Sequence, residues 1–336
     1  EEALTISKRM ESSGAFEYVS PDRRIRASGL ADILFESTPW NLAPSNVAAG
    51  GANIAAAWTT TQGSANVTIA VLDTGLRSHA ALTGATILPG YDFVSGNAMT
   101  GTPDAKTGLY IPDGFTENDP GQPGRDPDPS DPGTWVGTTD TANYPTTCPS
   151  TADSSWHGTF ITGLLVAQQN NSGGVKGIAP GTGVLAARVL GKCGGAISDA
   201  IDAMIWAAGG TVPNVPLNSY PANVLNMSLG SKGSCLAAEQ AAVDAVRARG
   251  ATIVVATGND AAALQAPANC SGVIAVTANT IDGDRAYYAN SGAGTTLSAP
   301  GGGTGAVVVG SGSDISSISN TGITTPAADG YATGKG

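Results

Sequence analysis

The sequence is poor in charge, aromatics and histidine, and each shortage excludes something. Charged residues are 13% and aromatics 5% of the 336 positions. Only 16 Lys and Arg stand against 27 Asp and Glu, for a formal net charge of −11. Such a chain repels phosphate, and its bases cluster only at Arg23, Arg24 and Arg26, so a non-specific nucleic-acid binder is excluded. No run of 18 apolar residues occurs, so no helical membrane span is expected. The two histidines and the lack of any Cys-x-x-Cys pair leave no zinc ligand set of the usual spacing. Glycine is abundant instead, at 46 residues, but without a Gly-X-Y period. It therefore serves turns and close backbone approaches rather than a collagen helix. Hydrophobic residues, at 41%, are enough for a sizeable core.

At roughly 150 residues per domain the length allows two domains. Residues 1–28 differ from the rest. Glu1 to Ser12 reads as a short helix, Phe16 to Val19 alternates as a strand, and Pro21-Asp22-Arg23-Arg24 reads as a turn. Residues 29–57 form an irregular lead-in. A βα rhythm then begins. Strands are expected at Val67–Leu72, Val184–Val189, Asn223–Met227, Ala251–Ala256, Val273–Thr277 and Thr296–Ala299. Helices are expected at 157–169 and 235–249, and around Ile197, Ile201, Met204 and Ile205. Near-continuous apolar strands alternating with helices imply an α/β fold whose parallel sheet is covered on both faces. Chemistry then belongs at the carboxyl ends of the strands.

Residues 96–145 interrupt the rhythm with eight Pro, eight Gly and seven Asp. Asp126, Asp128 and Asp131, spaced by prolines, read either as oxygen ligands for Ca²⁺ or as a solvated acidic loop. Cys148, Cys193, Cys235 and Cys270 fit two disulfides in an extracellular protein or four buried thiols in a cytosolic one.

Several residues could carry chemistry. Asp73 ends a buried strand, where a carboxylate needs a partner, unless it simply caps the next turn. His157 opens a helix beside Gly158, as a catalytic base or as a satisfied buried histidine. His79, in a polar loop, reads as structural. Asn259 could offer an amide to an oxyanion, or could be an ordinary turn residue. Asn226-Met227-Ser228-Leu229-Gly230 could expose backbone to an extended peptide, or merely end a strand.

In order, Val71-Leu72-Asp73-Thr74-Gly75, His157-Gly158-Thr159, Asn226-Met227-Ser228-Leu229-Gly230 and Ala256-Thr257-Gly258-Asn259 closely resemble the subtilisin-like serine proteases. The resemblance runs from about Trp40 to the last residue and is closest to the secreted bacterial branch with two disulfides. It implies a three-layer αβα domain, a secreted endopeptidase and a monomer, with protein or peptide substrates. Asp73 would orient His157, the general base and then acid, and Asn259 would stabilise the oxyanion. Ser228, Leu229 and Gly230 would face Gly194, Gly195 and Ala196 across an extended substrate. Ala256, Thr257 and Gly258 would wall the pocket for the residue before the cut bond. The resemblance further implies structural calcium at Asp126, Asp128 and Asp131, and bridges Cys148–Cys193 and Cys235–Cys270.

Two departures matter. The family's Gly-Thr-Ser-Met-Ala nucleophile motif does not occur, and Gly336 resembles its first residue. Residues 1–28 resemble the end of an inhibitory propeptide. The expectation is therefore a propeptide remnant (1–28) and a catalytic domain (29–336) with an acidic insertion at 96–145. Such a chain would stop just before its nucleophile and be inactive as given. The alternatives are a non-catalytic peptide-binding pseudoprotease and a calcium-dependent structural protein.

Overall fold

The computed structural model describes residues 2–16, 18–27, 30–31, 39–95, 124–168, 175–304 and 314–336. Along the chain, helix α1 (Glu2–Glu11) precedes strands β1 (Arg24–Ala27) and β2 (Leu30–Ala31). A short α2 (Ile54–Ala57), β3 (Thr68–Asp73), β4 (Thr86–Asp92), α3 (Thr138–Asn143) and α4 (His157–Val166) follow. Next come β5 (Gly183–Arg188), β6 (Gly195–Ala196), α5 (Ile197–Ala207), β7 (Val224–Met227), β8 (Leu229–Gly230) and α6 (Ala237–Ala248). The described chain closes with β9 (Thr252–Ala256), β10 (Ile274–Asn279), β11 (Leu297–Pro300), β12 (Ile315–Asn320) and β13 (Asp329–Gly334).

Among the described residues, the main sheet has seven strands in the order β11-β10-β9-β7-β3-β5-β4, all parallel. Its two faces follow from the period of two in a strand. In β3, Ala70 and Leu72 enter one apolar core, while Ile69 and Val71 enter another. The first core holds Ala200 and Met204 of α5 with Val243 and Val246 of α6; the second holds Val166 of α4. This is the expected three-layer αβα architecture. Strand order reverses at β3, which has the later β7 on one side and β5 on the other. A ligand crevice is expected outside the carboxyl end of such a strand, where Asp73 sits.

The N-terminal segment departs from its expected form. Phe16, Tyr18 and Val19 form no strand; Glu17 lies outside the described residues. Phe16 and Tyr18 are exposed, and a lone strand without a partner is not stable. The strand is instead β1, which begins at Arg24, the last residue of the expected turn. It pairs antiparallel with β6 through Arg24↔Ala196 and Ile25↔Gly195, and with β8 through Arg26↔Gly230 and Ala27↔Leu229. Helix α4 stops at Val166, short of the expected 169. Of the acidic insertion, residues 124–145 are described; its earlier part, 96–123, lies outside.

Candidate active site

Asp73 is fully buried at the end of β3, and Thr74 N–H donates to its Oδ1 at 2.7 Å. His157 Nδ1 lies 2.8 Å from each Asp73 carboxylate oxygen. An ionised carboxylate only accepts, so Nδ1 carries the proton and Nε2 keeps its lone pair for a substrate or nucleophile proton.

Local sequence fixes this pair. Trp156 takes a left-handed φ of 49° and its indole donates to Gly322 O at 2.7 Å. That turn starts α4 on His157. A Cβ on Gly158 would stand 2.2 Å from Gly75 O, so only glycine lets α4 rest on the turn after Asp73. Gly158 N–H donates to Thr74 Oγ1 at 3.0 Å, and Thr74 donates in turn to Asp131 Oδ2 at 2.5 Å. Asp131 is fully buried, and burial pushes its carboxyl up to about 6. The Thr74 hydroxyl, the Gly133 N–H and Arg188 pull it back, while Asp73 raises it.

The proposed substrate strands flank a cleft that the chain itself fills. Ile25 is fully buried there and joins the main core. A Cβ on Gly194 would meet Ile25 O at 2.1 Å, so glycine makes room for the segment. Arg24 donates to Lys192 O and Arg26 to Thr147 O. Burial, and then the neighbouring Arg26, lower the Arg24 guanidinium to about 10. Asp22 accepts from Ser198 N–H at 2.9 Å and from its hydroxyl at 2.6 Å, at the start of α5. Both expected disulfides are present, Cys148–Cys193 and Cys235–Cys270. They hold the loops that carry Thr147, Lys192 and Ser234.

Asn259 follows β9 by three residues, on the sheet edge that Asp73 also occupies. Asn290, which the sequence reading missed, holds this loop. It is fully buried; its Oδ1 accepts from Asp260 and Ala262 N–H, both at 2.9 Å, and its Nδ2 donates to Thr257 O at 3.1 Å. Thr257 Oγ1 donates back to Asn290 O at 2.8 Å. Gly258 has φ +107°, and a Cβ there would meet Asn290 Nδ2 at 2.5 Å. Ser228 accepts from Asn226 Nδ2 at 3.1 Å. Ser228, Ala256 and His157 line one cavity of about 310 Å³. Its walls are mostly apolar, with Phe160 and Leu164 from α4 and Val254 from β9, and Gly336 reaches it.

The three aspartates expected to bind calcium are not gathered. Asp126 Oδ1 accepts from Asp128 N–H, Asp128 Oδ1 from Ser130 N–H, and Asp131 Oδ1 from Gly133 N–H. Each caps its own turn two residues on. Among the described residues no group of three His, Cys, Asp or Glu is arranged to hold a metal ion. Each of the three aspartates uses Oδ1 for its own turn, and Asp131 Oδ2 also accepts from the Thr74 hydroxyl. His79 is structural: Nδ1 accepts from Ala81 N–H at 3.0 Å and Nε2 donates to Gly330 O at 2.9 Å.

A buried Asp–His pair at the switch point of a parallel αβα sheet, beside two strand edges that pair with an extended segment, is an arrangement shared with the serine proteases that use a histidine base. The family model described as the subtilase family matches residues 64–336, and the chain belongs to that family. It is 41% identical to an extracellular protease of Xanthomonas campestris pv. campestris, over 100% of this chain and 51% of the relative. It is 40% identical to an extracellular basic protease of Dichelobacter nodosus, over 70% of this chain and 36% of the relative. The chain thus spans about half or less of these curated relatives. A solved structure described as proteases from Pseudoalteromonas arctica is similar at 38% identity and a TM-score of 0.73, covering 88% of this chain and 80% of that one.

Proposed function

We propose that the full-length protein is a secreted serine endopeptidase and that residues 1–28 end its inhibitory propeptide. The observation that carries this reading is the Asp73–His157 pair beside a cleft in which Arg24–Ala27 lies as a third antiparallel strand. That place is the one an extended substrate would take. His157 Nε2 takes the proton of a serine hydroxyl as it attacks the peptide carbonyl, then delivers it to the leaving amine. Asp73 keeps Nδ1 protonated and stabilises the imidazolium. Asn259 donates its side-chain amide to the oxyanion.

The nucleophile belongs to a segment following Gly336 in the full-length protein. The apolar cavity beside His157 supports this, because it offers a covered place for that segment next to the base. Residues 1–336 alone are then inactive. The test is peptide hydrolysis by the full-length protein and its Asp73→Asn variant. Asp73→Asn should lower kcat about 10⁴-fold, because Asn favours the wrong histidine tautomer. A full-length protein that binds peptides without cutting them would support the pseudoprotease instead.

A further inference from the structure

The contacts of Arg23 lie outside the catalytic centre and form a second recognition feature. Its guanidinium donates to Ser234 O at 2.9 Å, to Lys232 O at 3.2 Å and to the Glu239 carboxylate. Glu239 is 1% exposed and already caps α6, accepting from Leu236 N–H at 2.7 Å. Its Oε1 is buried and has no hydrogen-bond partner among the described residues. A carboxylate buried with spare acceptor capacity at a helix N-terminus is costly unless a cation meets it. The loop before α6 is shaped for one. Gly233 has φ +119°, and a Cβ there would lie 2.5 Å from Arg23 Nη1. Asn269 Nδ2 donates to Gly233 O at 2.8 Å, and the Cys235–Cys270 bridge fixes the loop end. Two backbone carbonyls and a carboxylate spread around one group suit the planar fork of arginine better than the point charge of lysine.

We propose that the 232–234 loop and Glu239 form an arginine-accepting subsite for extended peptides, with Glu239 determining its specificity. The inference rests on the proposed function, in which the place of β1 is the substrate's place. The register then carries over. Ile197 N–H donates to Arg23 O at 2.7 Å, continuing the β1–β6 pairing, and Ile25 is the buried anchor two residues later. A substrate held by the same strand edges presents to Glu239 the residue two positions before its aliphatic anchor.

The experiment uses the secreted full-length protein with its own segment weakened by Arg23→Ala and Ile25→Ala, so that the cleft is open, and peptides differing only at the residue facing Glu239: Arg, Lys, Ala or Glu. Binding is read by fluorescence anisotropy and cleavage by mass spectrometry; for cleaved peptides kcat/KM replaces Kd. The Arg peptide should exceed the Ala peptide by about tenfold, with Lys between them and Glu weakest. Added salt should shrink the Arg advantage. Glu239→Gln, which keeps an acceptor for Leu236 N–H, and Gly233→Ala, which closes the pocket, should each bring the Arg-to-Ala ratio toward one. Thermal unfolding checks that both variants are folded. Equal constants for Arg and Ala peptides overturn the subsite, whether or not the peptides are cut. A tenfold Arg preference without cleavage overturns the endopeptidase reading and leaves the subsite standing. No binding of any peptide overturns both.

Discussion

Asn290→Ala should loosen the loop that carries Asn259. The side chain makes three hydrogen bonds with backbone groups of residues 257, 260 and 262, and the residue is fully buried. Alanine removes the acceptor of two N–H donors, on Asp260 and Ala262, while Thr257 O keeps the Gln265 N–H at 3.1 Å. Both of those residues are exposed, so their N–H groups regain water. The net loss is that of about one buried hydrogen-bonding group, roughly 1–3 kcal/mol. Unfolding entropy of roughly 2.1 cal/mol/K per residue gives about 0.7 kcal/mol/K for a chain of this length. Tm should therefore drop by about 1.5–4 °C in a calorimetric scan of the full-length protein. Activity should fall through kcat more than KM, because the displaced amide serves the transition state. A Tm within about 0.5 °C of the parent, below the roughly 1.5 °C lower bound, would refute the reasoning. So would a fall confined to KM.

Gly158→Ala forces a methyl into Gly75 O and should cost about 1–3 kcal/mol while shifting His157, so both Tm and kcat should fall. Asp131 titrates near 6 in the fold against its ordinary 3.8, so the folded state holds this proton longer. Its contribution to stability is therefore lost as pH rises from about 4 to 6, by up to roughly 3 kcal/mol. Asp131→Asn should be less stable than the parent at pH 4, since an amide nitrogen replaces one of the two oxygens that accept from Gly133 N–H and the Thr74 hydroxyl, and the gap should narrow by pH 7. A gap that widens would mean the charged form stabilises the fold.

The sequence was most legible where one physical signal dominated. Buried strands such as Thr68–Asp73 announce themselves as apolar runs, and Asp73 and His157 stand out as ionisable groups at element ends. Strand β4 was missed because Pro89-Gly90, a turn signal, sits at its bulge between Leu88 and Tyr91. The hairpin β12–β13 was missed because its serines and glycines carry no apolar alternation; its order comes from pairing with itself and packing on α4. Strand β1 exists only because β6 and β8 pair with it, and those edges lie about 170 to 200 residues further along the chain, so no local pattern could show it. The brace residues Asn290 and Trp156 and the Thr74–Asp131 contact are likewise products of tertiary approach. Asp131 illustrates the limit: its place in an Asp-Pro run suggested a metal ligand, while the fold uses it to hold the hydroxyl beneath the first turn of α4.

The central claim is that His157 activates a serine nucleophile supplied by the full-length protein. The most direct measurement is fluorophosphonate labelling of that protein, with the modified residue located by mass spectrometry. The account predicts one labelled serine beyond Gly336, and loss of labelling in the His157→Ala variant. A label on a serine within residues 1–336, or labelling that survives His157→Ala, would contradict it.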